Sequence, residues 1–115
     1  MGTLTYDNTI VRFDDRVLTH LQIAIVRLFR RELSFPMSWK RAVEAGSGRG
    51  SLWMVHTTPV YFDFEGSRIP TISDEWVARL EDSAMSSTGL IVSGEHGELV
   101  GVGASTPVPA YAFAR

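Results

Sequence analysis

The stretch Asp14–Glu32, DDRVLTHLQIAIVRLFRRE, decides the reading of the fold, because its pattern specifies its structure unaided. At about 100° per residue, Val17, Leu18, Leu21, Ile25, Leu28 and Phe29 fall within roughly 120° of one another. Arg16, His20, Arg27, Arg30 and Arg31 cluster on the opposite side. The sequence therefore predicts one amphipathic helix with a core face and a basic face. Asp14 is placed to accept a hydrogen bond from a free first-turn amide, Asp15 adds negative charge there, and Arg30 and Arg31 put positive charge near the carbonyl end.

Upstream, Thr3–Asp7 and Thr9–Phe13 are β-prone runs on either side of the Asp7-Asn8 turn signal, and predict a hairpin. Downstream, Pro36 limits the helix and pushes Phe35 towards an extended conformation. Phe35, Met37 and Trp39 alternate with Ser34, Ser38 and Lys40, which predicts a strand, and Pro36 places it at a sheet edge. Residues 44–50, EAGSGRG, read as a hairpin loop: Gly46-x-Gly48-x-Gly50 lacks the dinucleotide-binding spacing, and no Gly-Lys-Ser/Thr follows. Ser51–His56 and Val60–Glu65 are further strands, the second strictly alternating. A second helix runs from about Ser73 to Thr88, capped by Ser73, stopped by Gly89, with Trp76, Val77, Leu80 and Ala84 on its core side. Leu90–Val92 adds a short last strand.

The order ββαβββα predicts an α+β fold, a mostly antiparallel sheet of about five strands with two helices packed on one face. Residues 1–92 form the single domain. Residues 93–115 read as a flexible Gly/Pro/Ala-rich tail, with Tyr111 and Phe113 as anchors for any partner docking there.

A chain of 115 residues, 44% hydrophobic, supports one core, and a net charge of −2 gives no overall attraction to nucleic acid or anionic membrane. Any such binding must come from a local patch. Ten of the eleven basic side chains are arginine, the residue suited to planar bidentate contacts. The absence of cysteine excludes disulfides, a thiolate nucleophile and Cys-type zinc sites. The start, MGTLTYDNT, lacks a basic segment followed by an apolar run, and no window approaches the roughly 20 apolar residues of a membrane span, so a cytoplasmic protein is expected.

Catalytic chemistry finds no footing in these residues. His20, His56 and His96 are isolated, with no pair at the i, i+4 spacing; His96 with Glu95 and Glu98 reads as a solvated turn. No serine lies in a Gly-x-Ser-x-Gly elbow. Trp39, Trp53 and Trp76, at strand and helix positions with apolar neighbours, are expected in the core. No catalytic residue, metal ligand or cofactor is therefore expected. The candidate site is the basic helix face, Arg16, His20, Arg27, Arg30 and Arg31, extended by Lys40, Arg41, Arg49 and Arg68 if the loops approach it. It predicts weak, salt-dependent contact with nucleic-acid phosphates. The alternative is a protein-interaction or self-association module using a sheet edge and the tail, and an enzyme comes third.

Several motifs together carry a resemblance. They are Leu4-x-Tyr6-Asp7, Phe13-Asp14-Asp15-Arg16-Val17-Leu18-x-His20-Leu21, Ser38-Trp39-Lys40, Gly66-Ser67-Arg68-x-Pro70 and Ser86-Ser87-x-Gly89-Leu90. Over residues 3–92 the chain resembles small actinobacterial proteins of about this length that often carry the label ATP-dependent DNA ligase. A ligase of that kind adenylates the lysine of a Lys-x-Asp-Gly motif. The one lysine here, Lys40, is followed by Arg41-Ala42-Val43, so the resemblance implies an accessory or stand-alone relative rather than the catalyst.

Overall fold

The computed structural model describes residues 1–41, 48–98, 101–102 and 106–107. β1 (Gly2–Tyr6) and β2 (Thr9–Phe13) form the expected hairpin, paired from Gly2↔Phe13 to Tyr6↔Thr9. Asp7 turns the chain at φ 51°, a left-handed conformation that Asp tolerates better than most residues. α1 (Asp15–Arg30) follows, and Asp14 caps it, its carboxylate accepting from the Arg16 amide at 3.1 Å. Closure comes before Pro36. Arg31 and Leu33 both donate their amides to the Leu28 carbonyl around Glu32, which sits at φ 57°.

β3 (Phe35–Arg41) and β4 (Arg49–Met54) make an antiparallel pair, and β5 (Val60–Asp63) returns to pair with β1. α2 (Asp74–Ala84) is capped by Ser73, which accepts from the Trp76 amide at 3.3 Å. It ends four residues short of Thr88. The Ser83 and Ser86 hydroxyls donate to the carbonyls of Leu80 and Ser83, competing with continuation of the helix. Gly89 then takes φ 77° with its α-carbon against Pro36, where any Cβ would meet the proline ring and carbonyl. That close approach delivers the chain into β6 (Leu90–Ile91) beside β3.

The strands form two sheets rather than one. The first has the order β5-β1-β2-β8 and the second β4-β3-β6, with β7 (Gly101–Val102) also on β3 and β8 (Thr106–Pro107) closing the first sheet. The pairs β3–β6 and β3–β7 are parallel; the others are antiparallel. The α+β class stands, while β3 is central rather than an edge. Its partner β6 begins pairing at Met37, one residue past Pro36, so the missing proline N–H falls outside that register.

One core joins both sheets and both helices. Leu4, Val11 and Phe13 from the first sheet meet Phe35, Met37, Trp39 and Met54 from the second, around Leu18, Leu21, Ile25 and Leu28 of α1 and Trp76, Val77 and Leu80 of α2. Phe13 meets Trp39 edge-to-face at 6.4 Å, and the Val55 amide donates to the Tyr6 hydroxyl at 2.8 Å, so the sheets are joined by an aromatic contact and a hydrogen bond. Trp39 and Trp76 are buried as expected. Trp53 is not: its neighbours Leu52 and Met54 take the inner side of β4, which turns Trp53 outward with 60% exposure. Residues 93–98, expected to begin the tail, contact the helices. The Trp76 indole donates to the Ser93 carbonyl at 2.9 Å, and Arg16 pairs with Glu95. Residues 42–47 of the Gly-rich connection, Tyr111 and Phe113 lie outside the described residues. Among the described residues no helix is long and apolar enough to cross a membrane.

Candidate functional site

The five residues of the expected basic face do not stay together in solvent, because α2 packs against their side of α1. His20 is fully buried. Its ring stacks on Trp76 at 4.0 Å, Nδ1 lies 2.7 Å from the Arg16 carbonyl, and Nε2 accepts from the Ser73 amide at 2.9 Å. His20 thus ties α1 to the cap of α2 and presents nothing to a ligand. Arg16 is held by Glu95 at 2.9 Å and by the Thr71 carbonyl at 2.7 Å, with its guanidinium 5.7 Å from the Trp76 ring centre. Arg27 pairs with Glu81 of α2 at 3.3 Å. Arg30 and Arg31 are exposed, and no ion pair among the described residues involves them. Of the proposed extension, Lys40 and Arg49 lie on the β3–β4 hairpin and Arg68 in the loop after β5.

Two carboxylates fix this arrangement. Asp15, in the first turn of α1, accepts from the Gly66 amide at 2.8 Å and the Glu65 amide at 3.3 Å, which fastens the loop after β5 to the helix N-terminus. The Gly66 bond, reinforced by Glu65, holds its carboxyl below the usual range. The Arg16 bond does the same for Glu95. Much of the chemistry in the distinctive Asp14-Asp15-Arg16, His20 and Gly66-Ser67-Arg68 motifs is thereby spent on construction.

The side of α1 that remains open lies between its core face and the α2 seam. Ile23 and Val26 are roughly 140–160° from Leu21 on the helix wheel, far from the core stripe. Three depressions run along this side, of about 340, 290 and 410 Å³. The first two share Gln22 and Ile23, and the second and third share Val26 and Arg30, so they form one groove. Its far wall is Val60 and Phe62 of β5, then Phe64, Ile69 and Ile72 of the following loop. Val26 is 37% exposed and Ile69 82%, while Ile23 and Phe29 pack partly on the core below.

Cations line the groove, while Glu81 on Arg27 and Asp15 on the Gly66 amide approach its lining residues from outside. Arg27, Arg30 and Arg68 are among its lining residues, and none of the lining residues carries a carboxylate, although the chain has more acidic than basic side chains. Beside it runs a sheet edge: β5 pairs with β1 on one side, and nothing among the described residues pairs with its other side. The groove is hidden in the pattern of α1 alone, in which the side that packs on the second helix looks like arginines in water. The available signal was Ile23 and Val26, two branched apolar residues away from the core stripe. Among the described residues no group of three His, Asp or Glu side chains is placed to hold a metal ion.

Fold and site together define a small α+β domain with an open apolar groove between a helix and an edge strand. The chain belongs to the family described as Domain of unknown function (DUF7882), whose family model matches residues 1–95. No protein of curated function and no solved structure matches it.

Proposed function

We propose that this domain is a protein-interaction module that takes an extended, acidic and apolar segment of a partner onto the free edge of β5. The groove beside that edge carries the reading, being apolar at its floor and lined by Arg27, held by Glu81, and by Arg30 and Arg68, which have no ion-pair partner among the described residues. A segment added to β5 satisfies the outward-facing backbone groups of the strand and sends alternate side chains towards Val26 and Phe29. Arg30 and Arg68, which have no carboxylate partner among the described residues, then receive the segment's acidic groups in charge-assisted hydrogen bonds. Phosphate binding by the α1 face is the weaker reading, since His20 is inside and Arg16 and Arg27 already hold carboxylates.

Panning a displayed random-peptide library against the full chain tests the proposal. Selected peptides are expected to alternate apolar and acidic residues, and to lose about tenfold or more in affinity against Val26→Glu or Arg30→Glu. Binders without acidic bias, or binders indifferent to both substitutions, would refute it. A mass that doubles with concentration and is lost in Val26→Glu would assign the edge to a second copy of this chain instead.

A further inference from the structure

The β3–β4 hairpin presents a second surface of different chemistry. Alternation sends Phe35, Met37, Trp39 and Met54 into the core and leaves Pro36, Ser38 and Lys40, with Arg49, Ser51 and Trp53, on the opposite face. The register sets Pro36 beside Trp53, Ser38 beside Ser51, and Lys40 beside Arg49. Two features of this face work against the fold. Like charges directly opposite on paired strands repel, and no ion pair among the described residues relieves Lys40 or Arg49. Trp53, 60% exposed, leaves an indole in water where a polar side chain would serve the strand as well. None of the six outward positions is acidic.

One kind of ligand relieves both features, a planar base that stacks on the indole and is joined to phosphates that neutralise the cations. We propose that the outer face of β3 and β4 binds single-stranded nucleic acid, with a base on Trp53 and backbone phosphates on Lys40 and Arg49. Trp53 lies four residue steps from Arg49, about 13 Å along β4, a span that an extended strand crosses with a base at one end and phosphates at the other. The Ser38 and Ser51 hydroxyls lie between, available to sugar or phosphate. A single strand is specified because a base within a duplex has both faces stacked and offers none to an indole on an open sheet. With stacking and phosphate contacts alone, the site reads no sequence.

Fluorescence anisotropy of a labelled oligothymidylate with the full chain, at low and moderate salt, tests this. Binding is expected to weaken as salt rises. It should fall about tenfold or more in Trp53→Ala, persist in Trp53→Phe, and fall about tenfold in Arg49→Glu. Arg49→Glu also replaces a repulsive cross-strand pair by an attractive one, so its melting temperature should equal or exceed that of wild type; a purely structural role for Arg49 would lower stability and binding together. Arg30→Glu/Arg68→Glu, in the groove along α1, should leave oligonucleotide binding unchanged, which separates this site from the protein-docking one. No binding at low salt overturns the proposal, as does a Trp53→Ala variant that binds as tightly as wild type. Dextran sulfate, a polyanion without bases, showing the same dependence on Trp53 would overturn it too.

Discussion

Between α1 and α2, His20 occupies a place that an aliphatic residue of similar size could fill but not satisfy. Removing the ring leaves the Ser73 amide without its acceptor at the cap of α2. Nothing in the local sequence marks this, because a helix wheel describes one helix and burial is decided by two. Asp14 was legible, since a cap acts within its own turn. Asp15 was legible only as charge: its partners, Glu65 and Gly66, lie about 50 residues away. Both Asp15 and Glu95 have carboxyls held below their ordinary values, 3.8 and 4.5, by the Gly66 amide and the Arg16 guanidinium respectively. Each therefore binds fewer protons folded than unfolded in that range, and contributes stability that is present above the ordinary value and lost as pH falls through the folded one. Denaturant midpoints should drop as pH is lowered from about 5 to 3, modestly because both groups face solvent. The drop should be shallower in Asp15→Asn/Glu95→Gln, and identical slopes in the two proteins would show that these contacts do not set acid stability.

At the level of elements, α1 has a core face, a seam with α2 and an open side, where the sequence reading expected a core face and a basic face. Val17, Leu18, Leu21, Ile25 and Leu28 are buried as their periodicity predicts, and both helices start where their caps place them. The seam was hidden because arginines that pack along a neighbouring helix look, in sequence, like arginines in water. The strands were found to within a few residues, but their division into two sheets was not, since which strands pair depends on long-range contacts that alternation does not encode. The core and open faces of α1 predict opposite outcomes for the same chemical change. Leu21→Asp places an unpaired charge in a fully buried site and should cost about 4 kcal/mol or more, enough to unfold a domain of this size. Val26→Asp, on the open side, should cost less than about 1 kcal/mol. Urea unfolding of the two variants checks this, and comparable losses would mean that the groove side of α1 is part of the core.

Across the whole molecule, a chain with net charge −2 keeps two surfaces on which the described lining residues include arginine or lysine and no Asp or Glu, the groove between α1 and β5 and the outer face of β3 and β4. Segregation of this kind costs stability where like charges meet, and each of the two proposed ligands would bring the missing charge. The groove is apolar along both walls and borders an edge of β5 that nothing among the described residues pairs, which makes addition of a partner segment to β5 the first proposal to test. Hydrogen exchange of the full chain with and without a library-selected peptide tests this most directly. A segment added to β5 should slow exchange at the outward-facing amides of residues 60–63 and leave protection of β4 over residues 49–54 unchanged. Unchanged exchange throughout β5 under saturating peptide, with protection confined to α1 or to β4, would contradict it.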